Sequence, residues 1–241
     1  MPSKLQKLKS VTHRIWIRLR THGLVNTSRI GLLRIHEVFT DWRLGIDTRG
    51  RLQFTSPERE DVCVGYEASD YSLIVRALRE VQPRSSDIVF LDYGCGKGRT
   101  IILAAMQPFR RVIGVDLDQS LLSTAESNLD RVRHRLRCQD VSLLNVDATQ
   151  LEVPDDVNVI FMFNPFLGDV MSAVLSRIED SLRRNERRLT VIFIYPPNHV
   201  PDPFAALPWF TEVKELTVGR HRVLRLMIYE ASLDNVVPTS D

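Results

Sequence analysis

The sequence predicts an α/β chain: a doubly wound, mostly parallel sheet closed by an antiparallel hairpin and preceded by a basic helical extension. Three observations predict it. Residues 88–91 are β-branched and apolar, and Gly94, Gly96 and Gly98 follow at once. Residues 100–106 are apolar and alanine-rich, as suits a helix packed on a sheet. Residues 111–115 are a second buried strand with Asp116 at its end. Strand, glycine turn, helix, strand, acid is the plan of a nucleotide-type site in a doubly wound sheet.

Residues 1–36 hold Lys4, Lys7, Lys9, Arg14, Arg18, Arg20, Arg29 and Arg34 and no acid. The rest of the chain keeps 24 of the 32 bases against all 30 acids, so a basic arm precedes a mildly acidic body. Within the arm, Leu5, Leu8, Thr12, Ile15 and Leu19 recur at helical spacing. Such a segment either docks its apolar stripe on the body or meets an anionic macromolecule or surface. Arginines interrupt its apolar run, which argues against a secretory signal. No apolar run is long enough to span a membrane.

Residues 37–42 read as a short helix or an irregular lid, and residues 71–81 as a helix that Ser69 or Asp70 can cap. Pro83 and Ser85-Ser86 close it. Beyond the glycine unit, residues 120–137 read as a helix with an arginine-dense end, residues 141–146 as a strand ending in Asp147-Ala148, and residues 157–163 as a strand ending in Asn164-Pro165-Phe166. A helix over 170–182 and a strand over 189–195 complete five βα units. Residues 210–218 and 222–229, separated by Gly219-Arg220, read as an antiparallel hairpin. The expected division is an extension over 1–61 and one domain over 62–241.

Cys63, Cys95 and Cys138 are isolated, and no metal-like Cys/His spacing occurs. The reading is a reducing, cytoplasmic setting with no metal site.

The glycine spacing selects the ligand. A dinucleotide fingerprint, G-x-G-x-x-G, places its third glycine at position 99, which is Arg99. Here the pattern is G-x-G-x-G, preceded by Asp92. That departure disfavours a nucleotide-binding oxidoreductase on a related sheet. The segment resembles motif I of the class I S-adenosylmethionine (SAM)-dependent methyltransferases. Together with Gly114 to Asp118, Asp147-Ala148 and Asn164 to Phe166, the resemblance spans roughly residues 62–230. The Phe-Leu-Asp-x-Gly-x-Gly-Lys-Gly-Arg form also looks like a little-characterised, mostly bacterial branch.

The resemblance implies SAM as cofactor and a seven-strand sheet in the order 3-2-1-4-5-7-6. It implies cofactor contacts from Asp92, Gly94, Cys95, Gly96 and Gly98 around the amino-acid half, and from Asp116 to the ribose hydroxyls. Leu117 would lie against the adenine, with Asp147 and Ala148 at its edge. Tyr66 and Glu67 precede motif I, where segments of the family often fold over the cofactor. Asn164-Pro165-Phe166 is similar to the [D/N/S]-P-P-[Y/F] motif of amino-methylating enzymes but lacks one proline. Asn164, Pro165 and Phe166 are thus the expected catalytic residues, with Asn164 also near the cofactor, and a nitrogen is the expected acceptor. A lysine acceptor, with pKa ~10.4, costs roughly 4.6 kcal/mol to neutralise at pH 7. Asn164 suits orientation more than deprotonation. Asp118, Tyr195 and His199 lie near strand ends as further polar groups. The acceptor class stays open among protein, nucleic acid and small molecule, and a non-catalytic SAM-binding fold is the alternative.

Overall fold

The computed structural model describes residues 35–50, 68–81, 87–163, 166–196, 202–205, 207–218 and 224–233. The basic arm up to residue 34, Tyr66, Glu67, Asn164, Pro165, His199 and the Gly219-Arg220 turn lie outside them.

Seven strands form one sheet: β1 (Val89–Tyr93), β2 (Arg111–Asp116), β3 (Val141–Asn145), β4 (Val157–Phe163), β5 (Leu189–Tyr195), β6 (Phe210–Val218) and β7 (Leu224–Ala231). Their order is 3-2-1-4-5-7-6, as the resemblance implies. The first five are parallel, and β7 runs antiparallel between β5 and β6. A dinucleotide-binding sheet instead runs 3-2-1-4-5-6. The inserted reversed strand therefore counts against the oxidoreductase alternative.

Among the described residues, five helices accompany the sheet: α1 over residues 35–44, α2 (Tyr71–Glu80), α3 (Arg99–Ala105), α4 (Gln119–Val132) and α5 (Gly168–Arg184). Side chains alternate along strands, so each strand feeds two cores. Phe90, Val112, Val159, Phe161, Ile192 and Ile228 face a cluster built on α2, α3 and α4. Val89, Leu91, Tyr93, Ile160, Met162, Val191 and Phe193 face the other, which α5 covers with Met171, Val174, Ile178 and Leu182. Burial on both faces explains why β1, β4 and β5 read as continuous apolar runs.

Two boundaries differ from the sequence reading in ways that matter. β1 runs on to Tyr93, so Asp92 lies inside the strand, paired with Gly114 of β2 and Phe161 of β4. Asp92 is therefore a core carboxyl rather than a loop residue. The α4 helix ends at Val132, with a single 3-10 turn over Arg133–Arg135. Arg131 alone of the arginines in that stretch lies in the last turn of α4, so the helix dipole accounts for one base and not for the cluster.

Asp70 occupies the N-cap position of α2 but makes no capping bond with its side chain. Its carboxyl instead lies beside that of Glu37 on α1 and helps to raise the Glu37 pKa. This is the first sign that the segment ahead of the domain is built into it.

Candidate functional site

The glycine turn leaves β1 with Gly94, Gly96 and Gly98 at φ 77°, 53° and 81°, all in the left-handed region. The Gly94 and Cys95 amides both donate to the Val115 carbonyl, at 2.8 and 3.0 Å. The Gly98 amide donates to the Cys95 carbonyl at 2.9 Å. At Gly98 a Cβ would also come within 3.0 Å of the Ala125 Cβ on α4, so the third glycine lets α3 and α4 close up. Gly114 clears the floor of the turn. A Cβ there would meet Leu143 at 2.8 Å and the Cys95 sulfur at 2.9 Å.

Two carboxylates lie at this turn. Asp116 ends β2, accepting the Gly96 amide on one oxygen at 2.8 Å and the Asp118 amide on the other at 2.9 Å. A carboxylate offers about four acceptor positions, so one on each oxygen remains. Burial raises its pKa, partly offset by those amides. Asp92 is only 2% exposed. Its pKa is pushed well up by burial first and by the charge of Asp116 second. Among the described residues nothing donates a hydrogen bond to it. A buried, unpartnered carboxyl beside a second acid calls for a ligand carrying positive charge or donors. SAM, with its ammonium, sulfonium and vicinal hydroxyls, has that chemistry, so the residues fit it.

Beyond Asp116, Leu117 is 39% exposed, unusual for a large apolar side chain at a strand end. Asn145 of β3 pins this corner by donating to the Asp116 and Leu117 carbonyls at 3.1 and 2.9 Å. Asp147 is exposed and caps the 3-10 turn Ala148–Gln150, accepting from the Thr149 amide and hydroxyl through one oxygen. Ala148 is buried beneath it. Cys95 is buried too, and burial followed by the two acids pushes its thiol pKa up. Its side chain is core packing, while its backbone shapes the turn. Asp118 is the N-cap of α4, accepting from the Ser120 and Leu121 amides and the Ser120 hydroxyl. The hydrogen bond from Ser120 leads in lowering its pKa. Phe166 packs its ring edge-on to Tyr93, with 6.0 Å between centroids.

The structure adds residues that sequence reasoning missed. Asn128 of α4 is fully buried and donates to the carbonyls of Asp47 and Lys97, at 2.9 and 3.1 Å. It also accepts the Asp47 amide at 2.9 Å. One amide side chain thus ties residues 46–50 to the glycine turn. A polar residue at helical spacing from Ala125 and Val132, inside the apolar stripe, was the available signal. Lys97 adds a hydrogen bond to the Arg49 carbonyl at 2.7 Å and an ion pair to Asp47 at 3.2 Å.

Arg99 is the centre of the second tie. It is 4% exposed, with Nε donating to the Thr48 hydroxyl at 2.8 Å. Nη1 donates to the Ser69 carbonyl at 2.6 Å and to Glu37 at 3.2 Å. Nη2 stands 3.8 Å from Asp41, an ion pair too long for a hydrogen bond. The guanidinium also lies over the Tyr71 ring, 4.3 Å from its centroid. Asp41, itself 1% exposed, accepts from the Tyr71 hydroxyl and from the Thr48 amide and hydroxyl. No pattern in residues 35–50 announces this; the partners are far apart in the chain.

Glu37 makes the tie sensitive to pH. Burial, then the Asp70 carboxyl beside it, raises its pKa from 4.5 to about 7, against the opposing pull of Arg99. Between those values the folded protein holds a proton that the unfolded chain has released. This contribution to stability is therefore complete below the lower value and is lost as pH rises through about 7. The urea midpoint is expected to fall between pH about 5 and about 8, and Glu37→Gln to flatten that part of the slope. An identical slope in the variant would exclude Glu37 as its source.

Known proteins agree with this geometry. Residues 90–185 match a family model described as a methyltransferase domain. No curated protein sequence matches the chain. Among solved structures, an RNA methyltransferase from Salinibacter ruber, in complex with S-adenosyl-L-homocysteine, superposes with a TM-score of 0.51 at 16% identity, covering 72% of this chain and 97% of that one. A Haemophilus influenzae protein assigned as a methylase gives 0.53 at 17% identity over 67% and 98%. An Escherichia coli protein assigned as a methyltransferase gives 0.52 at 15% identity over 69% and 89%. At these identities the structural likeness shows the fold. The matched stretch is similar to a methyltransferase domain, and the sheet has the seven-strand, Rossmann-like order of the methyltransferase fold.

Proposed function

We propose that this chain transfers the methyl group of SAM to an acceptor nitrogen, on a protein side chain or another amine, by direct in-line displacement. Asp116 carries the cofactor reading: each of its oxygens has one acceptor position taken by a backbone amide and one left for the paired hydroxyls of a ribose. The S-adenosyl-L-homocysteine in the Salinibacter ruber structure supports the same choice of ligand. SAM supplies an activated methyl group on a sulfonium, so the protein's task is alignment rather than activation. Asp92 and the turn of Gly94, Cys95, Gly96 and Gly98 would hold the amino-acid half. Leu117 offers its exposed apolar side chain to the adenine, with Asp147 and Ala148 at the ring's edge. Tyr66 and Asn164 would complete the pocket.

The nitrogen acceptor rests on the sequence Asn164-Pro165-Phe166 at the end of β4. An asparagine oxygen accepts from an amine hydrogen and orients its lone pair without taking a proton. In that reading Phe166, seated against Tyr93, forms the wall behind the acceptor.

Titration calorimetry of SAM and S-adenosylhomocysteine into the full chain tests the cofactor assignment. Micromolar binding of both is expected. Transfer of labelled methyl from SAM to amine-bearing acceptors then tests the chemistry, with Asn164→Ala expected to lower kcat by a larger factor than it weakens cofactor binding. A folded chain that binds neither ligand would overturn the proposal. Binding without turnover on any acceptor class would leave a non-catalytic SAM-binding protein.

A further inference from the structure

Helix α1 (residues 35–44) presents two faces of opposite character. Glu37 and Asp41 point to the body, where Arg99 holds both. Ile35, Val38, Phe39 and Trp42 follow the i, i+3, i+4, i+7 pattern on the other side and are 64%, 44%, 53% and 74% exposed. The Phe39 and Trp42 rings lie together, with centroids 5.7 Å apart. The buried ion pairs fix the outward orientation of this stripe, because turning it inward would strand Asp41 and Arg99. Four contiguous large apolar side chains kept in water mark a contact surface.

The chain just ahead of the stripe has a matching composition. Residues 1–36 carry eight lysines and arginines and no acid, with apolar residues at helical spacing among them. We infer that the outward face of α1 is an interfacial anchor that seats this protein on an anionic phospholipid surface, whose charge the bases of residues 1–36 complement. Interfacial helices combine aromatic and aliphatic side chains, which enter the headgroup boundary, with bases that meet lipid phosphates. The acidic remainder of the chain would be repelled from the same surface, so the body stands away with α1 against the lipid. No helix among the described residues is long and apolar enough to cross a membrane, as an interfacial mode requires none.

The observations favour lipid over nucleic acid and over a second copy, and the arm's own apolar stripe, docked on α1, would leave the chain unable to float with vesicles. A nucleic acid could stack on Phe39 and Trp42, but Ile35 and Val38, which continue the same stripe, offer it neither a stacking face nor a hydrogen bond. A second copy docked through α1 would bring two acid-free basic arms together. The inference stands apart from the methyl-transfer chemistry, since it uses none of the residues around Asp116.

Flotation of the full chain with vesicles tests it. The chain is expected to float with vesicles of phosphatidylcholine containing about one-third phosphatidylglycerol, and far less with phosphatidylcholine alone. Phe39→Ser with Trp42→Ser should weaken that association about tenfold or more, with the urea unfolding curve unchanged because both side chains are exposed. Salt should weaken binding without abolishing it. Three results would each overturn the inference. They are no association with anionic vesicles, association that the double variant leaves unchanged, and a single-stranded RNA oligonucleotide that binds more tightly than vesicles and loses affinity in the same variant.

Discussion

Asp116→Ala is expected to weaken binding of S-adenosylhomocysteine by about a hundredfold to ten-thousandfold. In the proposed binding mode the substitution removes two charge-assisted hydrogen bonds to the ribose hydroxyls, at roughly 1.5–3 kcal/mol each. It also frees the Gly96 and Asp118 amides, which donate to this carboxylate at 2.8 and 2.9 Å, and so loosens the glycine turn. Asp116→Asn separates the two effects. It keeps the shape and one acceptor oxygen, but its NH2 faces an amide donor and cannot accept from a hydroxyl. Its loss should approach that of alanine, whereas a merely structural role would let asparagine substitute. Calorimetry on both variants decides it, with near-native affinity in Asp116→Asn rejecting the ribose role. The pH dependence follows from the same carboxylate. Burial raises its pKa, so affinity should be lost on acidification at a higher pH than an ordinary aspartate would give, as protonation removes an acceptor.

Arg99→Met should cost about 2–4 kcal/mol in urea unfolding, because it takes away the buried one of the two cations beside Asp41, which is nearly inaccessible to water and keeps only the half-exposed Arg49 at 3.5 Å. Several other bonds vanish with it, including those to Thr48, Ser69 and Glu37. The loss should be strongly non-additive with Asp41→Asn. Once the anion is gone, removing the cation no longer strands a charge, and a coupling of about 1–3 kcal/mol is the expected signature. Arg99 also opens α3 one residue after Gly98, so the variant should reduce cofactor affinity as well. A cost below about 1 kcal/mol, or simple additivity, would show that residues 35–50 are not held by this network.

The position that excludes a dinucleotide fingerprint thus has a second use. Arg99 replaces the third fingerprint glycine and, in the folded chain, ties the N-terminal segment to the start of α3. The expected extension covers residues 1–61. Its described part, residues 35–50, is bound into the domain through Arg99, Lys97 and Asn128. A free lid would not bury Asp41 to 1% exposure.

What the sequence by itself determined are features written in local periodicity and turn chemistry. Four of the five parallel strands, β1, β2, β4 and β5, show as apolar runs because both their faces are covered, and the three glycines show because each must adopt a positive φ. Asp116 and Leu117 stand out because ligands in this architecture lie at carboxyl ends of strands. Tertiary structure alone decided the rest, since it depends on residues that meet only after folding. Asp92 proved a core carboxyl because β2 and β4 bury it from both sides. Cys95 turned inward because Gly114 leaves it room. Asn128 and Asn145 acquired their roles from carbonyls on other elements. The two faces of α1 were hidden for the same reason. Glu37 and Asp41 look like ordinary helix-surface acids until Arg99, about sixty residues on, claims them and leaves Phe39 and Trp42 facing water. Pattern along the chain reports what each element must bury, whereas pairing of buried charges is a long-range event that sets which face is left over.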